Sequence, residues 1–136
     1  MEKAYLDLLR KVMDEGIDRD DRTGTGTRAL FGATMRFNMA YGFPALTTKK
    51  LAWKAVKSEL LWFLEGSGDE MRLRELNSSD KTIWTANGEA PYWLPKAKFP
   101  GDLGRVYGVQ WRKWQRPDGS EHDQIAEAIR LIKEEP

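Results

Sequence analysis

The fold of this chain is decided by residues 52–64, which read AWKAVKSELLWFL. Apolar side chains recur there at intervals of three and four residues and leave little polar surface, which predicts a helix deep in the core. Two glycines, Gly66 and Gly68, follow at positions that end such a helix. The first stripe of apolar positions consists of Ala52, Val56, Leu60 and Phe63.

Glu59 stands in the middle of this apolar helix. A carboxylate is costly to bury among apolar side chains, and enzymes use such positions for proton transfer near neutral pH. Two interpretations remain open. Glu59 is either a functional group in a partly buried site or a carboxylate on the exposed side of the helix, paired with Lys57 or Arg74.

The remaining elements follow from their periodicity. Residues 2–15 predict a first helix, which Gly16 is placed to end in a left-handed cap. Apolar and polar residues alternate over residues 31–39, which predicts a half-buried strand, the longest of the chain. Residues 106–114 alternate weakly, and residues 123–134 predict a last helix. We expect an α+β fold with helices packed on a mixed or antiparallel sheet.

The composition is that of a globular protein of ordinary single-domain length, with 136 residues, 40% of them hydrophobic. Its 22 Lys and Arg balance 21 Asp and Glu, so no charge footprint for nucleic acid is present. No apolar run approaches the roughly 20 residues of a membrane-spanning helix. We therefore expect neither nucleic acid nor membrane as a partner.

Cysteine is absent from the chain. Its absence excludes a disulfide, a thiolate metal site and a cysteine nucleophile within these residues, and it favours a reduced, cytoplasmic compartment. The single histidine, His122, excludes a zinc site with several histidines. We expect no metal.

Three further places suggest a binding site, each with an alternative. Arg22 stands beside Gly24 and Gly26, so this loop is either a flexible turn or an anion site built from backbone N–H groups and a guanidinium. Ile83, Trp84 and Asn87 start a long loop, where Trp84 either stacks on a flat heterocycle or fills the core. Tyr107 offers a phenol to a site or is structural.

Short motifs follow one another along almost the whole chain. In order they are DRTGTGT (21–27), MRF (35–37), GFP (42–44), TTKK (47–50), ELLWFL (59–64), IW (83–84), GDLG (101–104), VYG (106–108), QWR (110–112) and DQI (123–125). In this order the motifs resemble the folate-dependent thymidylate synthases that use a cysteine nucleophile.

The resemblance implies an enzyme that methylates C5 of the uracil ring of dUMP to give dTMP. It implies 5,10-methylenetetrahydrofolate as a co-substrate that supplies both the carbon and the reducing equivalents. Glu59 would organise water and protons around the pyrimidine and the folate, and Tyr107 would assist proton removal from C5. Arg22 would hold the phosphate of dUMP.

The folate side of the site is implied in the same way. Lys49 would face the glutamate tail of the folate. Three residues would line the pocket for the pterin ring, with the tryptophan as the stacking aromatic: Ile83, Trp84 and Asn87.

Several functional residues of the family have no counterpart here. They are the nucleophilic cysteine, a pair of arginines that completes the phosphate site across the dimer, the asparagine that reads the uracil edge, and the C-terminal tail. We therefore expect residues 1–136 to be the N-terminal portion of a thymidylate synthase domain, inactive alone for lack of the cysteine. It would act as a homodimer in the full-length protein or with a complementary C-terminal half.

Two other functions remain open. As alternatives to a synthase fragment, the chain would be a non-catalytic remnant that binds a nucleotide or a partner, or part of a pyrimidine hydroxymethylase of the same superfamily. In each case a half-domain exposes apolar surface, and we expect self-association.

Overall fold

The structure is a computed structural model that describes residues 2–135. The chain divides after Leu51 into two compact units, which are described in turn. Within the described residues, helices are combined with two small antiparallel sheets of two strands each. The α+β class predicted from the sequence is confirmed.

The first unit begins with helix α1 (Glu2–Glu15), as its periodicity predicts. Strands β1 (Ile17–Arg19) and β2 (Thr27–Ala29) then pair as an antiparallel hairpin, with Ile17 opposite Ala29. A short 3-10 helix at Met39–Tyr41 begins behind Asn38, whose side chain accepts a hydrogen bond from the Ala40 N–H. The carboxylate of Glu2 accepts hydrogen bonds from the N–H and the hydroxyl of Thr47.

Gly16 does not form the left-handed cap expected from the sequence, since its φ is not positive. It is required for another reason. A Cβ at this position would overlap the backbone carbonyl oxygen of Val12 and lie 2.6 Å from the Arg28 Cγ, so the missing side chain keeps the helix end intact and lets Arg28 cross it. The guanidinium donates to the carbonyl of Met13 and forms a two-pronged pair with Asp18, at 2.6 and 2.9 Å. Hydrogen bonding to Arg28 holds the pKa of Asp18 below its usual value.

The long strand predicted over residues 31–39 is wrong. Residues 30–38 form no regular element, and the side chain of Phe31 is fully exposed. A strand is stable only if its N–H and C=O groups pair with a neighbouring strand. Within residues 2–135, β1 and β2 pair with each other alone and offer this segment no partner. Its alternating pattern therefore has no sheet to join.

The second unit is built around helix α2 (Trp53–Leu64). This helix packs against α3 (Glu70–Asn77) and α5 (Tyr107–Arg112), and α5 in turn contacts α6 (Gln124–Glu134). The remaining elements are α4 (Thr85–Gly88), a 3-10 helix (Leu94–Lys96) and the paired strands β3 (Trp114–Gln115) and β4 (Glu121–His122).

The core of the second unit is centred on Trp62, which is fully buried. Its indole N–H donates to the carbonyl of Asp69 at 2.8 Å, so the ring is buried without an unpaired donor. Leu73 and Leu103 are also buried, and partly buried side chains close the cluster around them. These are Phe63, Leu76, Trp84 and Val106.

Helix α2 lies at the edge of this core and is not deep inside it. Trp62 and Ser58 are buried, whereas Val56, Leu60 and Leu61 of the expected apolar face are about half-exposed. The reason is that α3 and α5 cover one side of the helix only. Ser58 tolerates burial because its hydroxyl is bonded to the carbonyls of Lys54 and Leu76.

The segment between α4 and α5 is ordered by tryptophan and aspartate. The indole N–H of Trp93 donates to the carbonyl of Asp102 at 2.6 Å, and the Trp93 ring lies where a Cβ on Gly104 would be. The Asp102 carboxylate accepts from the N–H groups of Lys98 and Gly104. Trp93, to which the sequence assigns no role, thus holds this loop closed on itself.

Candidate active site

The central contact of the site joins Glu59 to Trp84. The indole N–H of Trp84 donates to the carboxylate of Glu59 at 2.6 Å. Glu59 is half-buried on α2, one helical turn from Trp62, and Trp84 directly precedes α4. The alternative pairing with Arg74 is wrong, because Arg74 forms its ion pairs with Glu70 and Glu89. Glu59 is therefore held by an aromatic donor at the edge of the core.

Tyr107 lies next to Trp84 through contacts between aromatic rings. The ring centroids of Trp84 and Tyr107 are 5.9 Å apart, and Phe63 lies against both, at 6.3 Å from Trp84 and 5.5 Å from Tyr107. Each pair is arranged edge to face, the geometry that aromatic pairs prefer. Tyr107 is the first residue of α5 and remains more than half exposed, so its phenol is accessible next to the Trp84 indole.

A cavity of about 450 Å³ opens beside Glu59, a size typical of small-molecule sites. Glu59 and Lys81 bring ionisable groups to its wall, and the exposed side chain of Ile83 stands at its edge. The other lining residues are Ala52, Ala55, Val56, Leu73, Asn77 and Thr82. The wall is thus mainly apolar with few polar groups, which suits a flat organic ring.

Asn87 lies on α4, three residues after Trp84, and its backbone N–H donates to the Trp84 carbonyl at 3.0 Å. Its side chain is exposed and makes no hydrogen bond with another part of residues 2–135. The structure therefore brings together Glu59, Ile83, Trp84 and Tyr107, with Asn87 on the adjoining turn.

Arg22 belongs to the first unit, in the turn between β1 and β2. Its side chain is exposed and has no ion pair with any residue in 2–135. The backbone N–H groups of this turn are occupied, because the Asp21 carboxylate accepts from those of Thr23, Thr25 and Gly26. The hydrogen bond from the Thr23 hydroxyl, joined by these N–H groups, holds the pKa of Asp21 below its usual value. The interpretation of the turn as a cradle of free N–H groups is wrong.

Lys49 also lies in the first unit, two residues after Thr47. It is exposed and forms no hydrogen bond or ion pair with residues 2–135. Its ammonium group is available to a ligand, as is the guanidinium of Arg22.

Sequence analysis missed Glu70. This residue is 1% exposed and accepts hydrogen bonds from Arg74, Thr82 and Thr85. Burial works to raise its pKa, but these hydrogen bonds outweigh burial and hold the pKa below 4.5. Residues 70–77 look like a solvated charged helix in the sequence, and the only hint was a pair of threonines on either side of the Ile83–Trp84 dipeptide.

In the part of the chain that the structure describes, no helix has the length and apolar character needed to cross a membrane. The same residues contain no cluster of three or more His, Cys, Asp or Glu side chains arranged to bind a metal ion.

The chain also matches a known protein family over nearly its whole length. The family model described as thymidylate synthase matches residues 3–136. The match covers both compact units and every site residue discussed above.

Proposed function

This chain belongs to the thymidylate synthase family, and from that membership we propose that it supplies the folate-facing part of an active site that methylates dUMP. The family transfers a one-carbon unit from methylenetetrahydrofolate to form dTMP. The observation that supports the proposal is that Trp84 contacts both Glu59 and Tyr107, and that Glu59 also lines an apolar cavity.

Glu59 and Tyr107 are proposed to take part in proton transfer. The Glu59 carboxylate, held by the Trp84 N–H, has further lone pairs that can order water next to a bound pyrimidine. The Tyr107 ring lies 5.9 Å from the Trp84 ring and is more than half exposed, and its phenol would assist proton removal from C5 of dUMP. Both groups stand on helix segments, which hold them in fixed positions.

The other site residues are proposed to bind the folate and the phosphate of dUMP. Trp84 would stack on the pterin ring of the folate, with Ile83 and Asn87 beside it. Arg22 would bind the phosphate of dUMP through its guanidinium alone, because Asp21 occupies the neighbouring N–H groups. Lys49 would attract the glutamate tail of the folate through its charge.

The reaction needs a thiolate that adds to C6 of the uracil, and these 136 residues contain no cysteine. We propose that residues beyond these 136, in the same polypeptide or in a complementary C-terminal half, supply it. The complete enzyme would be a cytoplasmic homodimer. The chain by itself would be inactive.

Release of tritium from dUMP labelled at C5, in the presence of methylenetetrahydrofolate, tests the proposal. We expect none from the 136-residue chain and measurable release once a cysteine-containing C-terminal half of a thymidylate synthase is added. Glu59→Gln should abolish most of that release, and Lys57→Gln on the same helix should not. Release by the isolated chain at a purity that excludes host enzyme would overturn the inactivity expected here.

Two further measurements test the other functions. A chain that binds dUMP by calorimetry, yet gives no turnover with any cysteine-containing half, would be a nucleotide-binding remnant. A hydroxymethylated product from a cytosine nucleotide would identify a pyrimidine hydroxymethylase.

A further inference from the structure

Glu70 is a buried charge that the proposed chemistry does not use. Its side chain is 2% exposed, and the residue stands in the first turn of α3. A buried carboxylate is retained at low cost only if its oxygens are fully hydrogen-bonded. The partners of Glu70 therefore indicate what the charge does.

Both carboxylate oxygens of Glu70 are occupied. One oxygen accepts from the hydroxyls of Thr82 and Thr85, at 2.8 and 2.5 Å. The other accepts a hydrogen bond from the Arg74 Nε at 2.7 Å and forms an ion pair with the Arg74 Nη2 at 2.6 Å. The backbone of Glu70 is fixed as well, because its N–H donates to the carbonyl of Gly101 at 2.8 Å.

The hydroxyls of Thr82 and Thr85 connect Glu70 to the backbone around Trp84. A hydroxyl has a single proton, so a threonine that donates to Glu70 presents only lone pairs to its other neighbours. The Thr82 oxygen accepts from the Trp84 backbone N–H at 3.1 Å, and the Thr85 oxygen accepts from the Thr82 N–H at 2.9 Å. Glu70 thereby polarises both hydroxyls toward the turn that carries Trp84.

We propose that Glu70 is a positioning residue for Trp84. Through Thr82 and Thr85, Glu70 fixes the backbone of the turn that carries Trp84. The fixed backbone then orients the indole N–H toward the Glu59 carboxylate, 2.6 Å away. The effect on folate binding rests on the proposed function. The effect on the Trp84–Glu59 contact does not, since it is a property of the chain alone.

Nuclear magnetic resonance of the ¹⁵N-labelled chain tests the contact. Each tryptophan gives one indole N–H signal, and the Trp84 signal is identified by its loss in Trp84→Phe. We expect Glu70→Gln to shift the Trp84 signal, because the amide replaces an acceptor oxygen with a donor that faces Arg74 or the threonines. Glu75→Gln is the matched control, because Glu75 lies on the same helix and pairs with Arg72 at the surface.

A second pair of variants keeps the test decisive if Glu70→Gln does not fold. Thr82→Val removes the hydroxyl between Glu70 and Trp84 while it keeps the shape, and Thr82→Ser keeps the hydroxyl. We expect hydrogen exchange of the Trp84 backbone amide to become about tenfold faster in Thr82→Val and to be restored in Thr82→Ser. Amides of α6 report whether the unit stays folded.

The outcomes distinguish the positioning role of Glu70 from the proposed folate-binding role of Trp84. If the Trp84 signals of Glu70→Gln match those of the unchanged chain, or if Thr82→Val exchanges like Thr82→Ser, Glu70 is not a positioning residue. In the complemented enzyme, Glu70→Gln should raise KM for methylenetetrahydrofolate more than it lowers kcat. Shifted signals together with an unchanged KM would support the positioning role and contradict the proposed folate role of Trp84.

Discussion

Gly108 of α5 lies directly against the backbone of Phe63 in α2: a Cβ on Gly108 would be 2.7 Å from the Phe63 carbonyl oxygen and 2.8 Å from its Cα. Only glycine permits this approach, because backbone atoms have no way to turn aside as a side chain does. The approach is also what brings Tyr107, the neighbour of Gly108, within 5.5 Å of the Phe63 ring.

Gly108→Ala should therefore force α5 away from α2. We expect a loss of about 1–3 kcal/mol in the free energy of unfolding, the usual cost of overpacking. Urea denaturation followed by tryptophan fluorescence measures it. Gly88→Ala is the control, because its Cβ would meet only the Leu103 Cδ2 atom, at 3.3 Å. Equal stability of the two variants would contradict the close contact.

Trp62→Ala should remove the centre of the second unit. The side chain is fully buried, and a buried tryptophan replaced by alanine costs about 3–5 kcal/mol. We expect the thermal transition of that unit to be lost or strongly lowered. Trp114→Ala, at a partly exposed position in β3, should leave it nearly unchanged. A transition that survives Trp62→Ala would show that the core lies elsewhere.

The hydrogen bond between Trp84 and Glu59 should appear as a coupling energy. In a double-mutant cycle of Trp84→Phe and Glu59→Ala, which removes the acceptor oxygens, we expect the two effects on unfolding free energy to differ from additivity by about 1 kcal/mol. The control cycle replaces Glu59→Ala with Glu65→Ala, whose carboxylate pairs with Arg72. Additive effects in the first cycle would mean that the hydrogen bond does not form in solution.

Acid should weaken the second unit through Glu70. Its pKa is lowered in the folded chain, so its contribution to stability is present above the unfolded value of 4.5 and is lost as the pH falls through the folded value. We expect the difference in Tm between the unchanged chain and Glu70→Gln to be largest near neutral pH and to narrow below about pH 4.5. A difference that stays constant down to strongly acidic pH would contradict the lowered pKa.

The outer face of α2 should promote self-association. Leu60 and Leu61 are about half-exposed there, and exposed apolar patches favour contacts between molecules. We expect Leu61→Lys to lower the average mass measured by sedimentation at high protein concentration. Leu6→Lys, an equally exposed leucine on α1, is the control. A sharp, concentration-independent monomer for the unchanged chain would remove the basis for this expectation.

Helix boundaries were predictable because periodicity is a local property. Residues 2–15 and 52–64 correspond to α1 and α2 within one residue, and residues 123–134 correspond to α6 behind its N-cap Asp123. The strand over residues 31–39 failed because a strand depends on a partner that the segment's own pattern does not describe. The weak alternation of residues 106–114 concealed α5, whose helix depends on the approach of Gly108 to α2.

In the site, too, some residues were predictable from the sequence and others were not. Glu59 was recognisable because a carboxylate interrupts an apolar helix, a contrast visible in the sequence itself. Glu70 was not, because its neighbours Met71 and Arg72 are a typical surface context and its burial depends on two threonines more than ten residues later. Motif order related the chain to a family, but the hydrogen bond from Trp84 to Glu59 needed the folded structure.

The Asp21 carboxylate occupies the backbone N–H groups of the β1–β2 turn that an external anion would otherwise bind. The turn is thereby ordered before any ligand arrives, and an incoming phosphate loses no backbone entropy there. It also gains nothing from the peptide dipoles, which already face a negative charge. Attraction at this turn is left to exposed guanidinium charge, which salt screens within a Debye length of about 8 Å at physiological ionic strength. If Arg22 binds phosphate as proposed, ionic strength, more than loop flexibility, should govern the strength of that binding.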